Sequence, residues 1–275
     1  MNPTQTAKAQ MFRALHAQCF VIPNPWDAGS ARLLAGQGFK ALATTSAGHA
    51  YTLGRRDGAT TRDETLANAK LIVDAVDLPV SADLENCFAH DPRQAAETIR
   101  LASAIGLAGG SIEDATGDPA KPIYDFNLTV ERVAAAVETA KSLKTPFVLT
   151  ARAENFLHGR PDLDDTIKRL QAFEKAGAEV LFAPGLKSLE QIRTVCGSVS
   201  RPVNVVMGLV GAAFSVQDLA AAGVKRISLG SSLARAALGA LRRAGAEIRD
   251  HGTFTFAQEA IPYAEIDQQM RGKGA

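Results

Sequence analysis

The chain has 275 residues and nearly balanced charge, 30 Lys+Arg against 29 Asp+Glu. That balance excludes a broad electrostatic footprint for nucleic acid or an anionic membrane. A composition of 46% hydrophobic and 21% charged residues excludes extensive disorder. The length suits two small domains or one large core such as an α/β barrel. Cys19, Cys87 and Cys196 are far apart and odd in number, so they form no disulfide framework, and no CxxC or Cys/His cluster offers a zinc site. The first 18 residues are polar and lack the apolar core of a signal peptide. No apolar run approaches the roughly 20 residues that span a bilayer. The expectation is a cytoplasmic protein with no nucleic-acid or membrane partner.

In chain order, short apolar runs alternate with amphipathic segments. The first run, CFVIP (19–23), is followed by a helical pattern over 27–35 opened by Asp27. KALATT (40–45) follows, then a turn of small residues, Thr45-Ser46-Ala47-Gly48, and a helix over 62–75 opened by Thr61. PVSAD (79–83) leads to a helix over 92–104 behind Asp91, and GGSIE (109–113) to one over 129–142. PFVLTAR (146–152), EVLFAP (179–184), PVNVVM (202–207) and KRISLG (225–230) complete the runs, with helices over 162–176, 189–195, 216–222 and 232–249. Asp162 and Ser188 are further N-cap signals, and Gly38, Gly106, Gly177 and Gly223 sit where a left-handed cap ends a helix before a strand. Eight βα units without a Pro/Gly/Ser-rich linker predict a single (β/α)8 TIM barrel domain spanning 1–275, its barrel at about 18–250. A doubly wound sheet is the runner-up, but no GxGxxG follows the first strand. The segment 254–270 is left over as an extra C-terminal helix, which would pack on the barrel or reach a neighbouring subunit.

Alternation along each strand places the polar residues. Ser81, Asp83 and Glu85 fall on one face at the end of the third strand, and Ser111 and Glu113 share a face on the fourth. Catalytic groups of a barrel sit at the C-terminal strand ends, so Asp83, Glu85 and Glu113 should meet at one mouth. Three carboxylates repel unless a cation separates them, and hard oxygen ligands suit Mg2+, or Mn2+ in its place. Structural ion pairing is the alternative. Arg152 and Glu154 lie on the Thr150 face of the fifth strand. Arg152 would hold a substrate carboxylate or phosphonate by its fork, or else pair with Glu113 or Glu154. Asn204, inside a Val-rich strand, would bind substrate or satisfy a loop backbone. The 45–48 turn offers backbone N–H groups to an anion.

At these residues the chain resembles the isocitrate lyase / phosphoenolpyruvate mutase superfamily. The segments that carry the resemblance are PNPWDAGSARLLAGQGFKAL, TTSAGHAYTLGRRDG, LPVSADLEN, GGSIEDATG, LTARAENFLHG and PVNVV. The resemblance implies a (β/α)8 barrel that binds Mg2+ and acts on 2-oxo or 2-hydroxy acids through enolate-like species. It also implies a homodimer or homotetramer that exchanges the last helix. Residue by residue, it implies that Thr45, Ser46 and Ala47 hold the 2-oxo carboxylate and that Asp57 lies near the reacting centre. Asp83 would ligate the metal directly. Glu85, in place of a more usual Asp, and Glu113 would act on the metal through water. Arg152 and Asn204 would line the substrate pocket.

The chain also departs from the family. Lyases that cleave isocitrate or methylisocitrate carry a K-[KR]-C-G-H loop after the fourth strand, and the mutases and phosphonopyruvate hydrolases carry a K-x-N-S loop there. Here that region reads ATGDPAKPIY (115–124), with neither. Cys87, His158 and Tyr124 are the other proton-transfer candidates, Cys87 better read as a buried spectator. The expected activity is Mg2+-dependent C–C cleavage of a small 2-oxo or 2-hydroxy carboxylate such as oxaloacetate, with Arg152 neutralising a second anionic group. The alternatives are P–C chemistry of the phosphoenolpyruvate mutase or phosphonopyruvate hydrolase kind, and a barrel that binds a 2-oxo acid without turnover.

Overall fold

A computed structural model describes residues 3–208 and 214–271. Among them eight parallel strands form one sheet: β1 (Phe20–Ile22), β2 (Leu42–Ala43), β3 (Val80–Ala82), β4 (Gly109–Glu113), β5 (Val148–Arg152), β6 (Val180–Phe182), β7 (Val203–Val206) and β8 (Arg226–Ser228). Each predicted run contains its strand, which is shorter than the run in every case but β4. The order β1-β8-β7-β6-β5-β4-β3-β2 leaves one seam, between β1 and β2. Two bonds cross it: Ala43 N–H donates to the Pro23 carbonyl at 3.0 Å, and the buried Asn24 amide donates to the Thr44 carbonyl at 2.9 Å. The result is a nearly closed (β/α)8 TIM barrel.

The helices outside it are α2 (Ala28–Gly36), α4 (Arg62–Ala75), α5 (Pro92–Ala104), α6 (Phe126–Ser142), α7 (Leu163–Ala176), α8 (Leu189–Gly197), α9 (Val216–Ala221) and α10 (Ser232–His251). Their starts follow from side-chain chemistry. Asp27 and Thr61 form capping boxes with Ser30 and Glu64, and Asp91, Asp162 and Ser188 each accept a first-turn N–H. Gly38, Gly106, Gly177 and Gly223 all take positive φ, between 89° and 106°, as the left-handed stop requires.

Strand alternation separates two cores. Leu149 and Ala151 of β5 face outward, into the layer between strands and helices, while Val148 faces inward. The lower end of the barrel is filled by Phe12 from α1 (Gln5–Leu15), a helix the sequence pattern did not reveal. Phe12 is fully buried among Ile22, Ala41, Ala108, Val148 and Val180. Its ring abuts Gly109, where an added Cβ would stand 3.0 Å from Phe12 Cε1. Burying such a ring contributes about 2–3 kcal/mol.

Two further expectations need correcting. The 45–48 turn is the start of α3 (Ser46–Thr52), because the Thr45 hydroxyl accepts from Gly48 N–H and caps it. Gly48 also packs too closely on Trp26 for any side chain, since a Cβ there would meet Trp26 Cβ at 2.9 Å. The C-terminal segment is a 3-10 turn (Thr255–Glu259) followed by the shorter α11 (Tyr263–Met270). Pro262 divides the two. α11 packs on α2 of its own barrel, where Arg32 donates to the Met270 carbonyl.

Candidate active site

The C-terminal strand ends surround a cavity of about 170 Å3 lined by Thr45, Ser46, Ala47, Asp57, Asp83, Arg152 and Asn204. That volume suits a small molecule, well below the range of drug-sized pockets.

Asp83 follows β3 directly. Its N–H is held by Thr44 Oγ1 at 3.0 Å, and its carboxylate accepts from Ser46 N–H at 3.3 Å and from Arg152 Nη1 at 2.8 Å. Glu113, the last residue of β4, lies 3.3 Å from the same nitrogen, and Glu154 takes Arg152 Nε at 2.8 Å. The Arg152 plane stands 4.9 Å from the Phe182 ring. One guanidinium therefore faces three carboxylates, and the ion-pair alternative for Arg152 is part of the structure. Burial works to lower the Arg152 pKa, but Glu154, Glu113 and Asp83 raise it on balance. Among the described residues Nη2 of Arg152 makes no hydrogen bond, and Arg152 lines the cavity.

Glu85 comes near Asp83 and Asp57 by a different route from the expected alternation, and like Glu113 it stands behind the cavity lining rather than in it. β3 ends at Ala82, and Glu85 has φ 50°, in a turn where Cys87 and Phe88 are also left-handed. Such conformations cost of order 1–3 kcal/mol each. Buried Arg132 of α6 holds this turn by donating to the carbonyls of Asn86, Ala89 and His90, and it stacks on Tyr124. The Glu85 carboxylate accepts from Thr60 Oγ1 at 3.4 Å. Burial, then the charges of Asp83 and Asp57, push its pKa up to about 7. Asp57 is exposed as a residue, yet desolvation of its carboxylate and the charge of Asp83 raise its pKa. Burial raises Glu113 as well, against the pull of Arg152.

This donor set fits a hydrated divalent cation. Every candidate ligand is a hard oxygen, and Asp57, Glu85 and Glu113 all carry raised pKa values that a nearby cation would relieve. Among the described residues no three His, Cys, Asp or Glu side chains stand close enough to hold one ion directly. One direct ligand with water-separated carboxylates would look the same.

The proton-transfer candidates lie elsewhere. Cys87 is fully buried against the Ser111 carbonyl, and burial pushes its thiol up to about 12, so it is the spectator expected. Tyr124 Oη meets His90 Nδ1 at 2.5 Å, under Arg132 and outside the cavity lining. His158 does not line the cavity, although its neighbour Leu157 does. The 115–124 loop closes on itself. Ala115 bridges Ile123, Thr116 N–H donates to the Pro122 carbonyl, and Tyr124 N–H donates to the Asp114 carbonyl. None of its residues lines the cavity.

Asn204 serves neither alternative alone. It donates to Ser228 Oγ at 3.0 Å and accepts from Arg226 Nε at 2.8 Å, while lining the cavity. Sequence reasoning missed Arg226, Ser228 and Asn24. The available signal was an arginine inside the apolar run KRISLG, with a serine two residues on.

The comparisons with known proteins meet this geometry. The family model for phosphoenolpyruvate phosphomutase matches residues 12–249. The chain belongs to the isocitrate lyase / phosphoenolpyruvate mutase superfamily. Within it, the chain is 31% identical to 2-methylisocitrate lyase of Escherichia coli K12 over 64% of this chain and 61% of that one. It is 57% identical to a candidate lyase or mutase of known structure from Burkholderia cenocepacia J2315, with a TM-score of 0.94 over 96% of this chain and 95% of that one. Oxaloacetate acetylhydrolase in complex with oxalate aligns at TM-score 0.88 and 26% identity, over 97% and 94% of the two chains. The protein is an enzyme of this superfamily, whose relatives named here are lyases, mutases and an acetylhydrolase. No helix among its described residues is long and apolar enough to cross a membrane.

Proposed function

We propose that this enzyme is a Mg2+-dependent lyase or decarboxylase that breaks a C–C bond in a small 2-oxo or 2-hydroxy carboxylate of the oxaloacetate type. The observation that carries it is the acidic side of the cavity, where Asp57 and Asp83 line a space sized for a few heavy atoms, Arg152 pairs with Asp83 and Glu113, and Glu85 and Glu113 stand just behind the lining. Asp83 would hold the cation directly and Glu85 and Glu113 would hold its water. The cation supplies positive charge to oxygens of the bound acid.

The chain's own residues orient the substrate. Thr45, Ser46 and Ala47 flank its carboxylate, Arg152 Nη2 is available as a donor, and Asp57 stands over the reacting centre. In decarboxylation the bond to the terminal carboxylate breaks, CO2 leaves, and the electron pair stays on the pyruvate enolate until a proton returns. That step needs no cysteine acid, which agrees with a 115–124 loop that brings none. The exposed Leu238, Leu241 and Ile248 of α10, with Phe254 and Ile261 beyond it, support a homodimer or homotetramer. Its proposed location is the cytoplasm.

The experiment is oxaloacetate decay to pyruvate, followed with and without Mg2+ and EDTA. Turnover that needs the metal and vanishes in Asp83→Ala supports the reading. Inertness toward 2-oxo and 2-hydroxy acids, together with no Mg2+-dependent exchange of the pyruvate methyl protons, rejects it. Release of phosphate from phosphonopyruvate, read by phosphorus NMR, would instead establish P–C chemistry.

A further inference from the structure

The floor of the cavity holds a cation, Arg226, that has no counter-ion among the described residues. Arg226 opens β8, is 6% exposed and lines the cavity. Its Nε donates to Asn204 Oδ1 at 2.8 Å, its Nη2 donates to Thr150 Oγ1 at 3.0 Å, and its Nη1 lies 3.5 Å from His16 Nε2. All three partners are neutral. His16 Nδ1 lies 2.9 Å from the Phe12 carbonyl oxygen and must donate to it, which leaves Nε2 as acceptor. Burial and the charge of Arg226 also hold the His16 pKa down at about 3.

Three other buried or half-buried arginines are answered differently. Arg169 pairs with Asp114 at 2.9 Å and Asp165 at 2.7 Å, Arg152 faces three carboxylates, and Arg132 is used up on backbone carbonyls. Among the described residues no carboxylate reaches Arg226. A guanidinium carries five N–H groups, and the contacts above use three. Burying a cation without an opposite charge costs several kcal/mol. The cost is offset if an anion enters the cavity. Burial, then the charge of Arg152, lower the Arg226 pKa to about 9, so the group stays charged at neutral pH.

We propose that Arg226 seats a second anionic group of the substrate, so that the site selects dianionic 2-oxo acids over those with an uncharged tail. This rests on the reading of the site as one for 2-oxo acids. It moves the second anion from Arg152, whose charge is already met at 2.8 Å by Asp83 and Glu154, to the floor between β5, β7 and β8. Asn204 and Thr150 then act as positioning residues that aim the guanidinium, and Ser228 holds Asn204 in turn.

The test is calorimetric titration of the full chain in Mg2+ buffer with oxalate, 2-oxobutanoate and 3,3-difluorooxaloacetate. Wild type should bind 3,3-difluorooxaloacetate more tightly than 2-oxobutanoate by about 10- to 100-fold, the range of a charge-assisted hydrogen-bonded contact. Arg226→Gln should bring the two within a few-fold while leaving 2-oxobutanoate affinity unchanged, and Arg226→Lys should keep part of the preference. No preference in wild type, or equal weakening of both ligands in Arg226→Gln, overturns the assignment. Should Arg226→Gln not fold, a crystal structure of the wild type with the difluoro compound decides. The terminal carboxylate within hydrogen-bond distance of Arg226 upholds the proposal, and its placement anywhere else refutes it. Failure of all three ligands, oxalate included, would instead overturn the 2-oxo acid reading, and the proposal with it.

Discussion

The two sides of the cavity are built on opposite electrostatic plans. On the β2–β4 side, Asp57, Asp83, Glu85 and Glu113 stand near one another, Arg152 reaches only Asp83 and Glu113 of the four, and three of them carry raised pKa values. On the β5, β7 and β8 side, a single guanidinium stands among an amide, a hydroxyl and a neutral imidazole. Each side is costly alone. Together they form a site that asks for a cation at one end and an anion at the other, as a metal-bound dicarboxylate would provide.

The comparison can be broken first at Asp83. Asp83→Ala removes the proposed direct ligand, and turnover should fall about a thousand-fold or more in steady-state assays. A variant that retains activity and metal dependence would show that the acidic wall is structural. Next is Arg152. Arg152→Ala leaves Asp83, Glu113 and Glu154 unpaired, and urea unfolding should show a loss of about 3–5 kcal/mol. Unchanged stability would mean that a bound cation already satisfies those carboxylates.

Below both sides lies the plug. Phe12→Ala opens the barrel floor beneath Arg226 and should cost about 3–5 kcal/mol in unfolding experiments, with turnover per folded molecule nearly preserved. Loss of turnover in a folded Phe12→Ala variant would tie α1 to the site through His16.

The last effect is on pH. His16 titrates at about 3 when folded, against about 6.5 when unfolded. The unfolded chain therefore binds the extra proton. The contribution of His16 is intact above pH 6.5 and falls away as pH drops toward 3, by up to about 1.4 kcal/mol per pH unit. The difference between wild type and His16→Gln should narrow over that window. A constant difference would mean that His16 is not held neutral.

Much of the acidic wall was legible in the chain, because β3 and β4 are neighbours and period-two alternation carries Ser81, Asp83, Ser111 and Glu113 to one mouth. Glu85 came near Asp83 for a reason the alternation did not contain, a left-handed turn pinned by Arg132 from α6. Of the basic floor only Asn204 was read from the chain, as a polar residue inside a Val-rich strand. Arg226, Thr150 and His16 come from β8, β5 and the turn after α1, and the arginine in KRISLG was a signal whose inward direction nothing local fixed.

The cap residues and the repeating apolar runs were sufficient by themselves to determine the eight βα units and their order, because N-caps, left-handed glycines and strand hydrophobicity act within a few residues. Tertiary structure alone decided two things: that α1 seals the lower end with Phe12, and that one buried guanidinium meets no carboxylate among the described residues. Each depends on contacts between residues far apart in sequence, where packing and desolvation outweigh local preference.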